Sequence, residues 1–160
     1  MPASEMEFLG GSPPLASNFV LKLTVRDQPI GTFGSVKGLQ VSIKVESYAE
    51  GGMTGFVHQF PGQMEWPNLV FSRGLTNSDN LFDWMNRSAG SEFQAAGGKL
   101  ERTTASVTLL DIAGKELRRY TFDGAFPVRW SGPSLDVTTG TPISEELEIA
   151  HHGFRSETLP

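Results

Sequence analysis

Leu39-Gln40-Val41-Ser42-Ile43-Lys44-Val45-Glu46-Ser47-Tyr48 alternates apolar and polar residues without a break. Successive side chains of an extended chain point to opposite faces, so Leu39, Val41, Ile43 and Val45 share one face and Gln40, Ser42, Lys44, Glu46 and Tyr48 the other. A period of two over this length predicts a long strand with one polar face. Gly51-Gly52 breaks the pattern and Gly55 follows closely, so residues 56–60 are expected to pair back as the second arm of a hairpin. Pro61-Gly62 reads as a further turn. Residues 63–72 read as a strand carrying Met64, Trp66, Leu69 and Phe71, with a bulge, edge or bend at Pro67, which lacks the N–H that a central ladder needs.

The same alternation recurs on both sides. Residues 18–26 place Phe19, Leu21, Leu23 and Val25 opposite Val20, Lys22, Thr24 and Arg26, and Asp27-Gln28-Pro29 supplies a turn into a short return over 30–33. Residues 103–110 form a strand, Asp111-Ile112-Ala113-Gly114 a turn, and 115–122 the returning arm of a hairpin. Residues 126–130 make a shorter β-like piece. A loop follows from Ser131-Gly132-Pro133 to Pro142. A last strand is marked by Ile143, Leu147 and Ile149, with Ser144, Glu146, Glu148 and His152 on its polar side. One segment differs: residues 76–89 place Leu81, Trp84, Met85 and Ser88 at helical spacing, with Thr76, Asn77 or Ser78 as N-cap and Gly90 as terminator. The expected fold is mainly β: an antiparallel sandwich or near-closed barrel with one flanking helix. Residues 1–17 read as an arm, 18–154 as a single domain, and 155–160 as a C-terminal tail.

Composition agrees with this architecture. The chain has 160 residues, of which 18 are glycine and 10 proline, and both interrupt helices. The net charge of −5 argues against nucleic-acid binding, which needs clustered Lys and Arg to displace counterions. Cysteine is absent, which excludes disulfides, thiolate metal sites and cysteine nucleophiles. No apolar run approaches the roughly 20 residues of a membrane helix. Residues 1–11 carry Glu5 and Glu7 and no basic stretch, unlike a secretory signal. Folding in a cytoplasm is therefore expected.

No catalytic or metal constellation emerges. His58 has no ligand-type neighbour at useful spacing, and His151-His152 would point to opposite faces of a strand, so surface histidines and no metal are expected. There is no nucleophile elbow, phosphate loop or dinucleotide fingerprint. Glu145, Glu146 and Glu148 read as a solvated or interfacial strand face, and Trp66, Trp84 and Trp130 as packing residues. Glycines and turns carry the information, a pattern suited to a protein whose product is a shape. A small-ligand-binding β-barrel is the reading from a different class.

Residues 34–84 resemble the tail-tube family of contractile phage tails and extracellular contractile injection systems. The matching pieces are Gly34-Ser35-Val36-Lys37-Gly38-Leu39, Tyr48-Ala49-Glu50-Gly51-Gly52, Gly55, Pro61-Gly62, Pro67-Asn68-Leu69, Arg73-Gly74-Leu75-Thr76, and Leu81 with Trp84. Their order and spacing carry the likeness, which extends over residues 18–154. The resemblance implies two packed antiparallel sheets with one helix, no enzymatic activity and no cofactor. It also implies hexameric rings stacked into a hollow tube inside a contractile sheath. A baseplate or spike hub and a tube-terminating cap would be partners, with protein cargo in the lumen. Assembly in the bacterial cytoplasm into a phage tail-like particle is expected. The related exported Hcp-like rings of type VI secretion are the close alternative. By resemblance, Tyr48, Glu50, Gly51, Gly52, Gly55, Pro61 and Gly62 form the inter-ring region. Relatives often carry Lys or Arg around the Pro-Gly, where this chain has His58, Gln59, Phe60 and Gln63, so an apolar or hydrogen-bonded contact is expected there.

Overall fold

The computed structural model describes residues 19–52, 55–100, 102–138, 140 and 144–160. The expected arm over 1–17 lies outside the described residues. Among the described residues ten strands and two helices follow one another: β1 (Phe19–Val25), β2 (Gln28–Phe33), β3 (Ser35–Lys37), β4 (Ser42–Tyr48), β5 (His58–Glu65), β6 (Leu69–Thr76), α1 (Ser78–Ala89), α2 (Ser91–Ala95), β7 (Thr103–Asp111), β8 (Glu116–Ser131), β9 (Glu145–Ala150) and β10 (Phe154–Thr158).

Six strands close a barrel. β8, β7, β1, β2 and β6 are hydrogen-bonded in that order, and β9 bridges β6 back to β8, every pair antiparallel. Closure removes the exposed edges that an open sheet of this length would leave. β8 makes it possible, because its first half pairs with β7 and its second half with β9. The two halves meet around Gly124, whose φ of +62° lies where side chains are disfavoured. The sequence reading has two separate β pieces here; they are one strand with a corner. β10 adds to the outer side of β8, and β3 to β6.

The alternation of β1 and β7 is honoured by burial. Leu23, Val25, Ala105 and Val107 are buried with Phe33, Phe71, Phe122, Leu147 and Ile149 inside the barrel. The β1–β2 turn is tight, with Arg26 and Asp27 both at positive φ (49° and 63°). Two consecutive residues of this kind match the twist of a hairpin, which explains why the return strand begins already at Gln28.

α1 lies against β2 and β8 and buries Leu81, Trp84 and Ser88, a stripe set by its 3.6-residue period. Asn77 caps it: its Oδ1 accepts the Asn80 N–H at 3.3 Å. The Asn77 N–H in turn donates to the Ile30 carbonyl at 2.6 Å, which ties the cap to the end of the barrel. Gly90 ends the helix with an extended backbone, and α2 follows where the sequence suggests only a small-residue connection.

Several elements differ from expectation. Pro67 does break the long run, separating β5 from β6, but Pro61-Gly62 is no turn. It lies inside β5, with Pro61 opposite Val45, and the register slips between Ile43 and Val45. A Cβ at Gly62 would sit 2.8 Å from the Lys44 carbonyl oxygen, so glycine is needed where the slipped ladder crowds the two backbones. Residues 154–158 form β10, where the sequence reading begins a tail at 155. Phe154 packs edge-on against Trp66 and Tyr120, at centroid distances of 5.2 and 6.1 Å, and this anchors the strand.

Two site expectations are corrected. His151 is buried, not at the surface. Its Nδ1 accepts the Gly153 N–H at 3.0 Å, so the proton sits on Nε2, which donates to the Pro67 carbonyl at 3.0 Å. Glu145 is buried as well, accepting from the Trp130 Nε1–H at 3.0 Å and from the Thr76 hydroxyl. A buried carboxylate needs such donors. Glu146 and Glu148 do face outward, as expected, and both meet Arg129.

Candidate assembly surface

β4 and β5 form a two-stranded sheet of their own, hydrogen-bonded to no other strand among the described residues. Every residue of β4 is exposed, and β5 is nearly so. The alternation that predicts a long strand is present, and Leu39 packs against the core, yet Val41, Ile43 and Val45 find no cover among the described residues. Ile43 and Val45 remain 51% and 55% exposed, and Phe60 and Met64 54% and 53%.

Strand geometry sorts these side chains into two faces. Ile43 pairs with Met64 and Val45 with Pro61, so these share an aliphatic face with Val41. Glu46 pairs with Phe60 and Tyr48 with His58 on the opposite, aromatic face. There the His58 ring stands edge-on to Phe56 at 5.1 Å and stacks over Phe60 at 6.4 Å. His58 Nε2 also lies 3.7 Å from a Glu50 carboxylate oxygen. The sequence gives no hint of this pairing, because the hairpin turn alone brings the two together.

The seven residues that the sequence singles out all belong to this hairpin or its turn. Tyr48 ends β4 and is exposed. Glu50 faces His58. Gly51 and Gly52 form the turn, with Gly52 at φ +92°, and a Cβ at Gly51 would meet nothing within 4 Å. Gly55 is equally open, whereas Pro61 and Gly62 form the slipped ladder in β5. The apolar residues that dominate the surface, Ile43, Val45, Phe60 and Met64, are not among the seven. Their alternation was visible, but only the missing cover makes them functional candidates.

A two-stranded hairpin is marginal in water, and monomers rarely leave so much contiguous apolar surface open. Among the described residues both edges of the hairpin are unpaired, and such edges template pairing with another chain. Chemically the surface offers packing and backbone pairing. Among the described residues no group of three or more His, Asp or Glu is placed to hold a metal ion.

The barrel wall beside it carries a polar cluster. Arg129 donates to Glu146 and, at 3.4 Å, to Glu148, which also accepts from Asn68 Nδ2 at 3.0 Å. The Asn68 hydrogen bond first, and Arg129 second, hold the Glu148 carboxyl below its usual range; hydrogen bonds to both glutamates raise Arg129.

Comparison with known proteins places this architecture. None of the curated proteins matches the chain significantly. Its fold is shared with a chain of the sheath–tube complex of an extracellular contractile injection system, PVC, in the extended state, with a TM-score of 0.71 and 23% identity over 99% of this chain and 100% of that one. A chain of the PVC sheath/tube terminator matches with a TM-score of 0.68 and 25% identity, over 91% and 97%. Hcp1 from Salmonella typhimurium is more distant, with a TM-score of 0.50 and 17% identity over 88% and 87%. The family model described as T4-like virus tail tube protein gp19 matches residues 16–155, nearly the whole chain. With a closed barrel, a flanking helix and a hairpin left uncovered, the chain belongs to that tail tube family and is a structural tube protein.

Proposed function

We propose that six copies of this chain close into a ring, that rings stack into a hollow tube, and that the β4–β5 hairpin makes the contact to the neighbouring ring. The observation that carries this reading is the hairpin's aliphatic face, Val41, Ile43, Val45 and Met64, which no described residue covers. A blade with one aliphatic face, and on the other Phe60 beside Glu46, Tyr48 and His58, offers packing on one side and mixed contacts on the other, which suits a position between stacked subunits. A separate, side-to-side heterologous contact between subunits closes by rotation into the ring, whereas the stacking contact propagates along the tube. Tyr48, Glu50, Gly51, Gly52, Gly55, Pro61 and Gly62 shape the turn and the slip of the hairpin, and Ile43, Val45, Phe60 and Met64 supply its buried area.

The tube works inside a contractile sheath, as the solved relatives named for a sheath–tube complex and a sheath/tube terminator suggest. Sheath subunits, a baseplate or spike hub and a terminating cap are its partners, and protein cargo can travel in the lumen. Assembly takes place in the bacterial cytoplasm, and sheath contraction drives the tube through a target envelope.

The test is negative-stain electron microscopy with light scattering. Wild-type protein is expected to give six-fold rings or tubes, with single rings at six times the 17.4-kDa subunit. Ile43→Lys with Val45→Lys should keep the far-ultraviolet spectrum and abolish tubes. Normal tubes from that double variant would remove the hairpin from the assembly.

A further inference from the structure

Among the described residues one histidine is buried, His151, at the corner between β9 and β10. Aromatic rings from three elements enclose it: Trp66, just after β5, at a centroid distance of 6.1 Å, Phe122 of β8 at 5.3 Å and Phe154 of β10 at 6.2 Å. No ion pair among the described residues reaches the ring. The titratable neighbours on the packed elements are engaged elsewhere or exposed. Glu65 and His152 are exposed, Asp123 of β8 lies 3.8 Å from Arg155 of β10, Tyr120 packs on Phe154, and Glu148 is held by Asn68 and Arg129. The two ring nitrogens do opposite things. Nδ1 accepts the Gly153 N–H at 3.0 Å, and Nε2–H donates to the Pro67 carbonyl at 3.0 Å. Only the neutral tautomer with its proton on Nε2 serves both, because an imidazolium carries a proton on each nitrogen.

What His151 grips is the root of the β4–β5 hairpin. Trp66 and Pro67 are the first two residues after β5. Trp66 is wedged over Gly153, where an added Cβ would lie 3.1 Å from the indole. The other arm is rooted at the same place, since a Cβ at Gly38, ahead of β4, would run into the Asn68 carbonyl oxygen. Residues 66–68 therefore carry both ends of the hairpin. The Gly153 side of the grip is fixed: the Gly153 carbonyl accepts from the Asp123 N–H at 3.0 Å, and the His152 N–H donates to the Asp123 carbonyl at 2.8 Å. A proton on Nδ1 sets N–H against N–H at Gly153, which cannot give way. The ring must move, and its hold on Pro67 goes with it. We propose that His151 is an acid-sensitive latch: neutral, it fixes the root of the hairpin, and protonated by water it frees residues 66–68 while the barrel stays closed. The barrel ladders do not run through the latch, as β9 ends at Ala150 and β10 starts at Phe154. Opening takes up one proton, so the opening constant should rise by up to about tenfold per pH unit where a solvent-exposed histidine titrates, between about pH 7 and 5. The consequence for stacking rests on the tube reading above. Acidification also lowers the negative charge of each ring, which by itself eases stacking. The latch predicts the opposite, shorter tubes at about pH 5.5 than at about pH 7.5.

His58→Gln with His152→Gln leaves His151 as the sole histidine, so its imidazole resonances are assigned directly. Amide exchange, corrected for its intrinsic pH dependence, is followed in this protein and in wild type from about pH 7.5 to about pH 5. Gly153 and the β4–β5 amides are expected to lose protection about tenfold or more as the His151 resonances titrate, while the amides of β1 and β7 keep theirs. His151→Gln, whose amide donates and accepts without titrating, should flatten the response; where that variant fails to fold, the sole-histidine protein carries the test. His151 resonances that do not move down to about pH 5 overturn the latch. So does hairpin protection that stays constant while they move, or that falls only together with β1 and β7. Electron microscopy tests the step to assembly. Tubes of equal length at both pH values, with the hairpin loosened, keep the latch and overturn the hairpin's place between rings.

Discussion

At the scale of single residues, the chain separates those that hold the barrel from those that wait for a partner. Gly51 is the sharpest case of the second kind. A Cβ there meets nothing within 4 Å, and its φ is not in the left-handed region. Gly51→Val is therefore expected to leave monomer stability within about 0.5 kcal/mol of wild type, the usual range for an unconstrained surface site, while shortening or abolishing tubes. Urea unfolding and electron microscopy on one preparation check both halves; a destabilised monomer would mean that the turn itself needs glycine. Glu148 illustrates the first kind. Its folded pKa is depressed by Asn68 and Arg129, so its contribution is complete above the ordinary carboxylate range of about 4.3 and is lost as pH falls through the folded value. Asn68→Ala should lower the melting temperature at neutral pH, and the gap to wild type should shrink as the solution is acidified below about pH 4. A gap that stays constant from neutral to acid would show that Asn68 acts by packing and not through the carboxylate.

Elements were legible in the sequence where burial follows a single period. β1 and β7 alternate because one face lies in the core, and α1 shows its stripe because one side lies on β2 and β8. Legibility failed where a tertiary contact overrides the local signal. Pro61-Gly62 looks like a turn, but the crowded ladder against Lys44 uses the same two residues inside a strand. Glu145 has the sequence signature of a solvated face, since Trp130 and Thr76, its donors, are distant in the chain. β10 hides for a related reason: a short strand of mostly polar residues carries little period, and its anchor is one aromatic ring. Phe154 sits 5.6 Å from Phe122 as well as beside Trp66 and Tyr120. Phe154 is only partly buried, so ending the chain after Gly153 should cost less than removing a fully buried Phe, about 2 kcal/mol with the loss of its ladder to β8 included. Denaturant unfolding of the truncated protein measures this. A loss below about 1 kcal/mol would mean that β10 is as dispensable as the tail its sequence suggests.

For the whole molecule, the question is which force holds rings together. Each subunit carries −5, so a six-membered ring carries −30, and like-charged rings repel at long range. In the proposed stacking contact the hairpin opposes that repulsion mainly with apolar area; among the described residues its ion pair, His58 with Glu50, lies within a single chain. Salt acts oppositely on the two forces. Raising it from about 0.1 M to about 1 M shortens the Debye length from about 10 Å to about 3 Å, which removes the repulsion between rings. It leaves burial of Ile43, Val45, Phe60 and Met64 intact, and sulfate strengthens it. Tubes are thus expected to lengthen as salt rises, more in sulfate than in chloride at equal ionic strength. Sedimentation and length distributions by electron microscopy read this directly. Tubes that dissolve at high salt would place stacking on ionic contacts, and the apolar hairpin would then have to be covered within a ring and not between rings.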